Sequence, residues 1–270
     1  MTLKSIINKS YYGTIGYISS LDDLTLLERY IVHNLPILKE YKGIIVATNY
    51  KDLKLAAKNA QLWKKYFSEC EIIDLEENRG HNFGTADLDN AIFDYCKSNN
   101  IEWLCKVSND IVLKKEVLDI KINKADFYYL EGIGYGGLAN NNFDTDKILN
   151  EYFFPQTNFY IINVNKTDYL NSKKYLDETY NEIKNTPPEV YQKMFGGKPG
   201  GMFPEWACEY FLADCVKRNK LSKYHLLSEE KYIKLLELVK QWQIHDCSHK
   251  NIMIEGICHY HYINQEITLL

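Results

Sequence analysis

The feature that most constrains this chain is a regular alternation, from Thr14 to Asp110, of short β-rich runs with amphipathic helical repeats. Thr14 to Ile18 reads as a strand. Ser20 then caps a helix, with Asp23 three residues on to close a capping box, and Leu24, Leu27 and Ile31 form one stripe that ends near Pro36. A second strand runs from Ile44 to Thr48, and Ala56, Ala60, Trp63 and Phe67 recur at helical spacing before a third strand at Ile72 to Leu75. Leu88, Ala91, Ile92, Tyr95 and Cys96 share one helical face, and Trp103 to Val107 reads as a fourth, fully buried strand. Strands alternating with helices demand a parallel sheet with helices on its faces, and ligands bind such a sheet beyond the carboxyl ends of its strands. The segments to inspect therefore begin at Ser19, Thr48, Asp74 and Ser108.

Composition narrows the partners. Of 270 residues, 46% are hydrophobic, enough for a well-buried core, and 32 basic against 36 acidic residues leave a formal charge of -4. That balance gives no electrostatic footprint for nucleic acid or an anionic membrane. The chain contains no apolar run of the length a membrane span needs, and its polar start does not read as a signal peptide, so a cytoplasmic protein is expected. Seven scattered cysteines without a C-x-x-C pair argue against a disulfide framework.

The second half is less regular. Phe127 to Leu130 and Phe159 to Val164 read as strands around a Gly/Asn-rich loop, a helical segment from Asp168 to Lys184 stops at Pro187 and Pro188, and the glycines at 196–201 suggest a loop over a site. Cys208, Leu212, Cys215 and Val216 mark a further helix, as do Tyr232, Leu235, Leu236 and Val239. No internal repeat or domain boundary is visible, and the chain reads as one domain over 1–270.

Two stretches carry the chemistry. Trp103-Leu104-Cys105-Lys106-Val107-Ser108-Asn109-Asp110 leads an apolar strand into small polar residues and a carboxylate, which puts Asp110 at the sheet edge where a hard cation and a diphosphate could be held. A turn carboxylate capping local amides is the competing reading. Upstream, Glu77-Asn78-Arg79-Gly80-His81-Asn82-Phe83-Gly84-Thr85 leaves a strand end and opens the helix with Asp87, supplying Asn and Asp to read a base or ribose and Arg79 to face a phosphate.

Together these stretches resemble the donor half of GT-A glycosyltransferases, especially the large family-2-like group. Asn78-Arg79-Gly80-His81-Asn82-Phe83-Gly84, then Asn90-Ala91, then Trp103-Leu104 and Ser108-Asn109-Asp110 carry the resemblance, which covers 1–115 well and 116–270 loosely. Ser108 stands where that group has its first acidic residue, which leaves Asp110 alone to match the metal carboxylate.

The resemblance implies an α/β, Rossmann-like GT-A domain with a mixed, mainly parallel sheet flanked by helices. Its donor half would span about 1–115, with the acceptor half and C-terminal helices in 116–270. It implies an enzyme that moves a sugar from a nucleotide-diphosphate donor to a hydroxyl of a glycan or related acceptor, assisted by Mn2+ or Mg2+. Ser19, Asn49, Asn78, Arg79, Asn82, Asp87 and Asn109 would line the donor pocket, although Ser19 also suits a helix start and Asn49 a turn. Asp110 and His259 would hold the metal. In Pro204-Glu205-Trp206-Ala207-Cys208-Glu209, Glu209 matches the base of inverting members and Glu205, one helical turn earlier, is its rival; a solvated acidic first turn is the bland alternative. The late cluster His245-Asp246-Cys247-Ser248-His249 and Cys258-His259-Tyr260-His261 also admits a zinc site, although its spacings fit no standard finger. A catalytically silent carbohydrate-binding module and a sugar nucleotidyltransferase remain as alternatives, the latter opposed by an acidic, glycine-free first loop, Ser19-Ser20-Leu21-Asp22-Asp23.

Overall fold

A computed structural model of the chain describes residues 1–109, 111–131, 155–168, 177–178, 181, 185, 207–228, 230–231, 233–234, 251–254, 257–259 and 267–269. A short helix α1 (Lys4–Ile7) precedes the expected alternation of β1 (Tyr11–Ile18), α2 (Leu21–Leu38), β2 (Gly43–Tyr50), α3 (Leu53–Tyr66), β3 (Glu71–Leu75), α4 (Gly80–Ser98) and β4 (Trp103–Ser108). After β4 come β5 (Val112–Leu113), a 3-10 turn at Lys115–Asp119, β6 (Phe127–Glu131), β7 (Pro155–Asn163), α5 (Ala207–Arg218) and β8 (Lys223–His225). Three short strands, β9 (Asn251–Ile254), β10 (Ile257–His259) and β11 (Ile267–Leu269), complete the described elements.

Seven strands form one sheet in the order β3-β2-β1-β4-β7-β6-β8. β1, β2, β3 and β4 are mutually parallel, β7 runs antiparallel to both β4 and β6, and β8 is parallel to β6. The protein is thus α/β, with a mixed, mostly parallel sheet flanked by helices. A second sheet, β11-β9-β10-β5, was not legible in the sequence, because its strands are two to four residues long and too short to show a period.

Side-chain alternation sends successive residues of each strand to opposite faces. Tyr12, Ile44, Val46, Cys105, Val107, Tyr128 and Ile161 join Leu27, Ile31 and Trp63 in one buried cluster on the α2/α3 face. Their strand neighbours Ile15, Ile45, Ala47, Leu104, Phe127, Tyr160 and Ile162 join Ile92, Phe93, Leu212 and Val216 on the α4/α5 face. Coverage of both faces is why β2 and β4 read as nearly continuous apolar runs.

The Ser20–Asp23 capping box forms as expected. Two boundaries differ from the sequence reading. Helix α2 continues through Pro36 to Leu38. The C=O that Pro36 leaves without an amide partner belongs to Val32, a residue 51% exposed, so water can replace the lost bond. The stretch after β3 is a loop only as far as Arg79, because α4 begins at Gly80 and takes in Asn82, Gly84 and Thr85. Of the helix expected from Asp168, Asp168 itself is irregular, whereas Asp177, Glu178 and Asn181 are helical. The glycine loops at 132–137 and 196–201 lie outside the described residues, as does most of the helix expected around Tyr232.

Among the described residues no helix is long and apolar enough to cross a membrane. Cys70, Cys96, Cys105 and Cys215 are buried free thiols, and burial pushes Cys96, Cys105 and Cys215 up to about 12, so these three stay protonated and inert as nucleophiles.

Candidate functional site

Strand order reverses between β1 and β4: β2 and β3 continue on one side of β1, while β4 lies on the other. The crevice beyond the carboxyl ends of β1 and β4 is the place where a sheet of this topology takes a ligand. Ile15 pairs with Ser108, and the Asn109 N–H extends that ladder by donating to the Ile15 carbonyl at 3.2 Å. The Ile111 N–H donates to the Ser108 carbonyl at 3.1 Å, closing a turn at Asn109. The Asn109 amide lies against Gly16, where any Cβ would collide with it, so the glycine in β1 makes room for this turn. Asp110 itself lies outside the described residues.

Of the other candidates expected to line the donor pocket, Ser19, Asn49 and Asn78 gather at the same edge, each with a structural partner. The Ser19 N–H and hydroxyl both donate to Asp23, at 2.8 and 2.7 Å. Burial raises the Asp23 carboxyl, but the hydrogen bonds from Ser19 and Ser20 outweigh it and hold the group below its ordinary value. Asn49 is 1% exposed, and its Nδ2 donates to the carbonyls of Leu75 at 3.3 Å and Glu77 at 2.7 Å, tying β2 to the β3–α4 loop. Asn78 is exposed on that loop, and its Oδ1 packs so closely over Gly84 that a Cβ there would meet it at 2.8 Å. The side chain of Asn82, in the first turn of α4, lies outside the described residues.

Arg79 is half-buried and fixed. Its Nε donates to Asp87 Oδ2 at 2.8 Å, a second guanidinium nitrogen pairs with Asp87 Oδ1, and Nη1 lies 2.8 Å from Asp177. Sequence reasoning assigned Arg79 to a phosphate and Asp87 to the pocket. The structure brings the two onto each other and adds Asp177, which the sequence could not place because it is remote along the chain.

Beneath Ser108 lies a buried cation. Lys106 is 0% exposed; its Nζ donates to the Thr157 carbonyl, lies 3.5 Å from Ser108 Oγ and 3.8 Å from Asp89 Oδ1, and stands 5.8 Å from the centre of the Tyr160 ring. The Ser108 hydroxyl donates onward to Asn158 Oδ1 at 3.3 Å. Sequence reading passed over Lys106, although a lysine inside an otherwise apolar strand was a visible signal of a buried pair.

Tyr17 is a second residue the sequence reading missed. It occupies a central strand flanked on both sides, yet it is 49% exposed. It pairs with Asn49 across β2, and it shares its face with Gly13 and Ile15, which α4 covers farther down the strand. An aromatic ring uncovered at the crevice offers a flat surface for stacking.

Two more candidates reach this edge through topology. α5 feeds β8 through a four-residue connection, 219–222, and β8 runs with β6 and hence with β4. A helix so connected runs against its strand, which puts its first turn, with Glu209, at the carboxyl edge. Consistently, Asn219 at the far end of α5 bonds Asp168 beyond the end of β7. Glu205 and the side chain of Glu209 lie outside the described residues. β10 pairs antiparallel with β5, Cys258 opposite Val112, so the strand end at His259 runs toward Ile111 and the turn. A carboxylate oxygen and an imidazole nitrogen are donors that suit Mn2+. Among the described residues no group of three His, Cys, Asp or Glu forms a metal cage, and Asp110 is not among them.

No family model matches the chain, and no curated protein matches it.

Proposed function

We propose that this protein is a glycosyltransferase of GT-A type, moving a sugar from a nucleotide-diphosphate donor to a hydroxyl of a glycan or related acceptor. The observation that carries the reading is the turn across Asn109 at the β1/β4 switch point, with the Asn78–Arg79 loop and the uncovered Tyr17 at the same sheet edge. Asp110 and His259 would hold a divalent cation, Mn2+ or Mg2+, which when bound supplies charge neutralisation for the leaving diphosphate.

The chain's own residues would do the rest. Tyr17 stacks on the nucleobase, while Asn78, Asn82 and Asn109 offer amides to the ribose and phosphates. Arg79 and Asp87 act by holding the first turn of α4 in place, where backbone N–H groups face an anion. Glu209, with Glu205 as rival, takes the proton of the acceptor hydroxyl as that oxygen attacks the anomeric carbon. Thermal melts against nucleoside diphosphates and nucleotide sugars, with and without Mn2+, test the reading, because a ligand that binds only the folded chain raises its melting temperature. A cation-dependent rise with one nucleotide is expected; no rise with any of them would sink it.

The ion-paired Arg79 and the serine at position 108 favour a second reading, a GT-A-like module that binds sugar nucleotide or glycan without catalysis. Donor hydrolysis in the presence of Mn2+ separates the two.

A further inference from the structure

Three polar side chains climb one face of the sheet toward the crevice. Val107 of β4 pairs with Phe159 of β7, and both join the cluster on the α2/α3 face. Ser108 and Asn158, one residue nearer the carboxyl edge of β4, therefore turn to the opposite face, the one that carries the paired Lys106 and Tyr160. Ile15, opposite Ser108, and Tyr17 lie on this same face. Direction along the polar chain is set from below. An ammonium carries hydrogens and no lone pair, so besides the Thr157 carbonyl and Asp89 it gives a hydrogen to Ser108 Oγ at 3.5 Å, which leaves the serine its own hydrogen to donate. Asn158 Oδ1 accepts that hydrogen at 3.3 Å. The carboxamide is thus turned with its oxygen toward the serine, and its NH2, a pair of donors, has no partner among the described residues. Asn158 is half-buried, neither sealed in the core nor loose on the surface. The charge beneath is neutralised internally, since Lys106 is 0% exposed and faces Asp89 at 3.8 Å. What the chain offers the crevice is a neutral, oriented donor pair, which suits a hydroxyl group better than a phosphate, whose strong partners are charged.

We propose that Asn158 is the residue that binds the transferred sugar, with Lys106 acting through Ser108 as its positioning residue. The proposal rests on the reading of the crevice as a nucleotide-sugar site with the nucleobase on Tyr17. β1 and β7 are two strand spacings apart, about 10 Å, and Asn158 lies level with Ile15, two residues deeper than Tyr17. A nucleoside alone cannot bridge that separation, whereas a group carried on the far side of a diphosphate can. Truncating Asn158 removes the donors that meet the sugar and leaves every contact to the nucleotide in place.

The test is calorimetric titration of the purified full chain, at one fixed Mn2+ concentration, with UDP, GDP, UDP-glucose, UDP-N-acetylglucosamine and GDP-mannose, and with folding of each variant checked by circular dichroism. The nucleotide sugar that wild type binds most tightly is compared with its own nucleoside diphosphate in Asn158→Leu and Ser108→Ala. Asn158→Leu is expected to weaken the nucleotide sugar by about tenfold or more while the diphosphate stays within about twofold. Ser108→Ala, which frees the amide to rotate, is expected to weaken the nucleotide sugar alone by about threefold. If Asn158→Leu fails to fold, Asn158→Thr carries the comparison, because a β-branched residue suits the strand. A role in packing alone would move both ligands together. Equal loss for both ligands, or none, in the folded Asn158 variant overturns the role of Asn158 and leaves the nucleotide-sugar reading standing. Wild-type affinity for the nucleotide sugar in Ser108→Ala overturns the positioning role of Lys106. Failure of wild type to bind any of these nucleotide sugars overturns the reading of the crevice and this proposal with it.

Discussion

Tyr17 and Arg79 show how differently two residues at one crevice are used. Tyr17 is exposed where its strand is otherwise buried, so removing its ring costs little packing and should cost ligand binding. Tyr17→Ala is expected to weaken binding of the nucleoside diphosphate by about 10–100-fold, the worth of one base–aromatic stack, with an almost unchanged melting temperature. Calorimetric titration checks it, and unaltered affinity would remove Tyr17 from the pocket. Arg79 is the opposite case, held by Asp87 and Asp177 at the mouth of α4. Arg79→Ala is expected to destabilise the fold by about 1.5–3 kcal/mol, the worth of hydrogen bonds to a charged group. A urea melt reads this, and Asp87→Ala should add little further loss in the Arg79→Ala background.

At the scale of elements, the Lys106 ammonium connects three of them: its own β4, Asp89 on α4 and the Thr157 carbonyl on β7. Lys106→Met removes the ammonium that faces the buried Asp89 carboxylate and is expected to cost about 3–5 kcal/mol in urea unfolding. The double variant Lys106→Met/Asp89→Leu should recover much of that loss, and a single variant as stable as wild type would show that the pair does not hold these elements together. The C-terminal side of the sheet carries a pH-sensitive contact. His225, in β8, packs edge-on against Tyr129 of β6, and its Nδ1 lies 3.0 Å from the Leu227 carbonyl. Burial lowers its proton affinity from the ordinary 6.5, and the Leu227 carbonyl offsets only part of that. Below 6.5 the unfolded chain therefore binds a proton that the folded chain refuses, so this contribution is complete above 6.5 and is lost as pH falls toward the folded value. Melting temperatures at pH 7.5 and 5.5 should fall further apart in wild type than in His225→Leu; an equal fall in both would remove His225 as the cause.

On the scale of the whole molecule, the sheet gathers segments from across the chain at one edge: Ser19, Asn49, Asn78, Asn109 and, through α5 and β10, Glu209 and His259. On the proposed function, that convergence makes transfer to the acceptor testable separately from nucleotide binding. Glu209→Gln is expected to abolish transfer while nucleotide binding stays within about twofold, because the amide keeps the size of the carboxylate but cannot take the proton. Glu205→Gln should remain active; the reverse pattern would move the base by one helical turn. The sequence by itself determined the βαβαβ half, both covered faces of its sheet and the Ser20–Asp23 cap, because periodicity and capping are local properties written within a few residues of each other. It also marked the turn at Ser108–Asp110 as the place to look. Only the tertiary structure decided which polar side chains at the edge are already engaged: Ser19 by Asp23, Asn49 by the β3–α4 loop, and Arg79 by Asp87 and Asp177. The clamp of Asn34 on Ile111 and Leu113 joins residues 77 and 79 positions apart, and the β10–β5 pairing joins more distant ones. A hydrogen bond across such separations leaves no periodic trace, because it is set by how α2 docks on the sheet and not by the residues on either side of it.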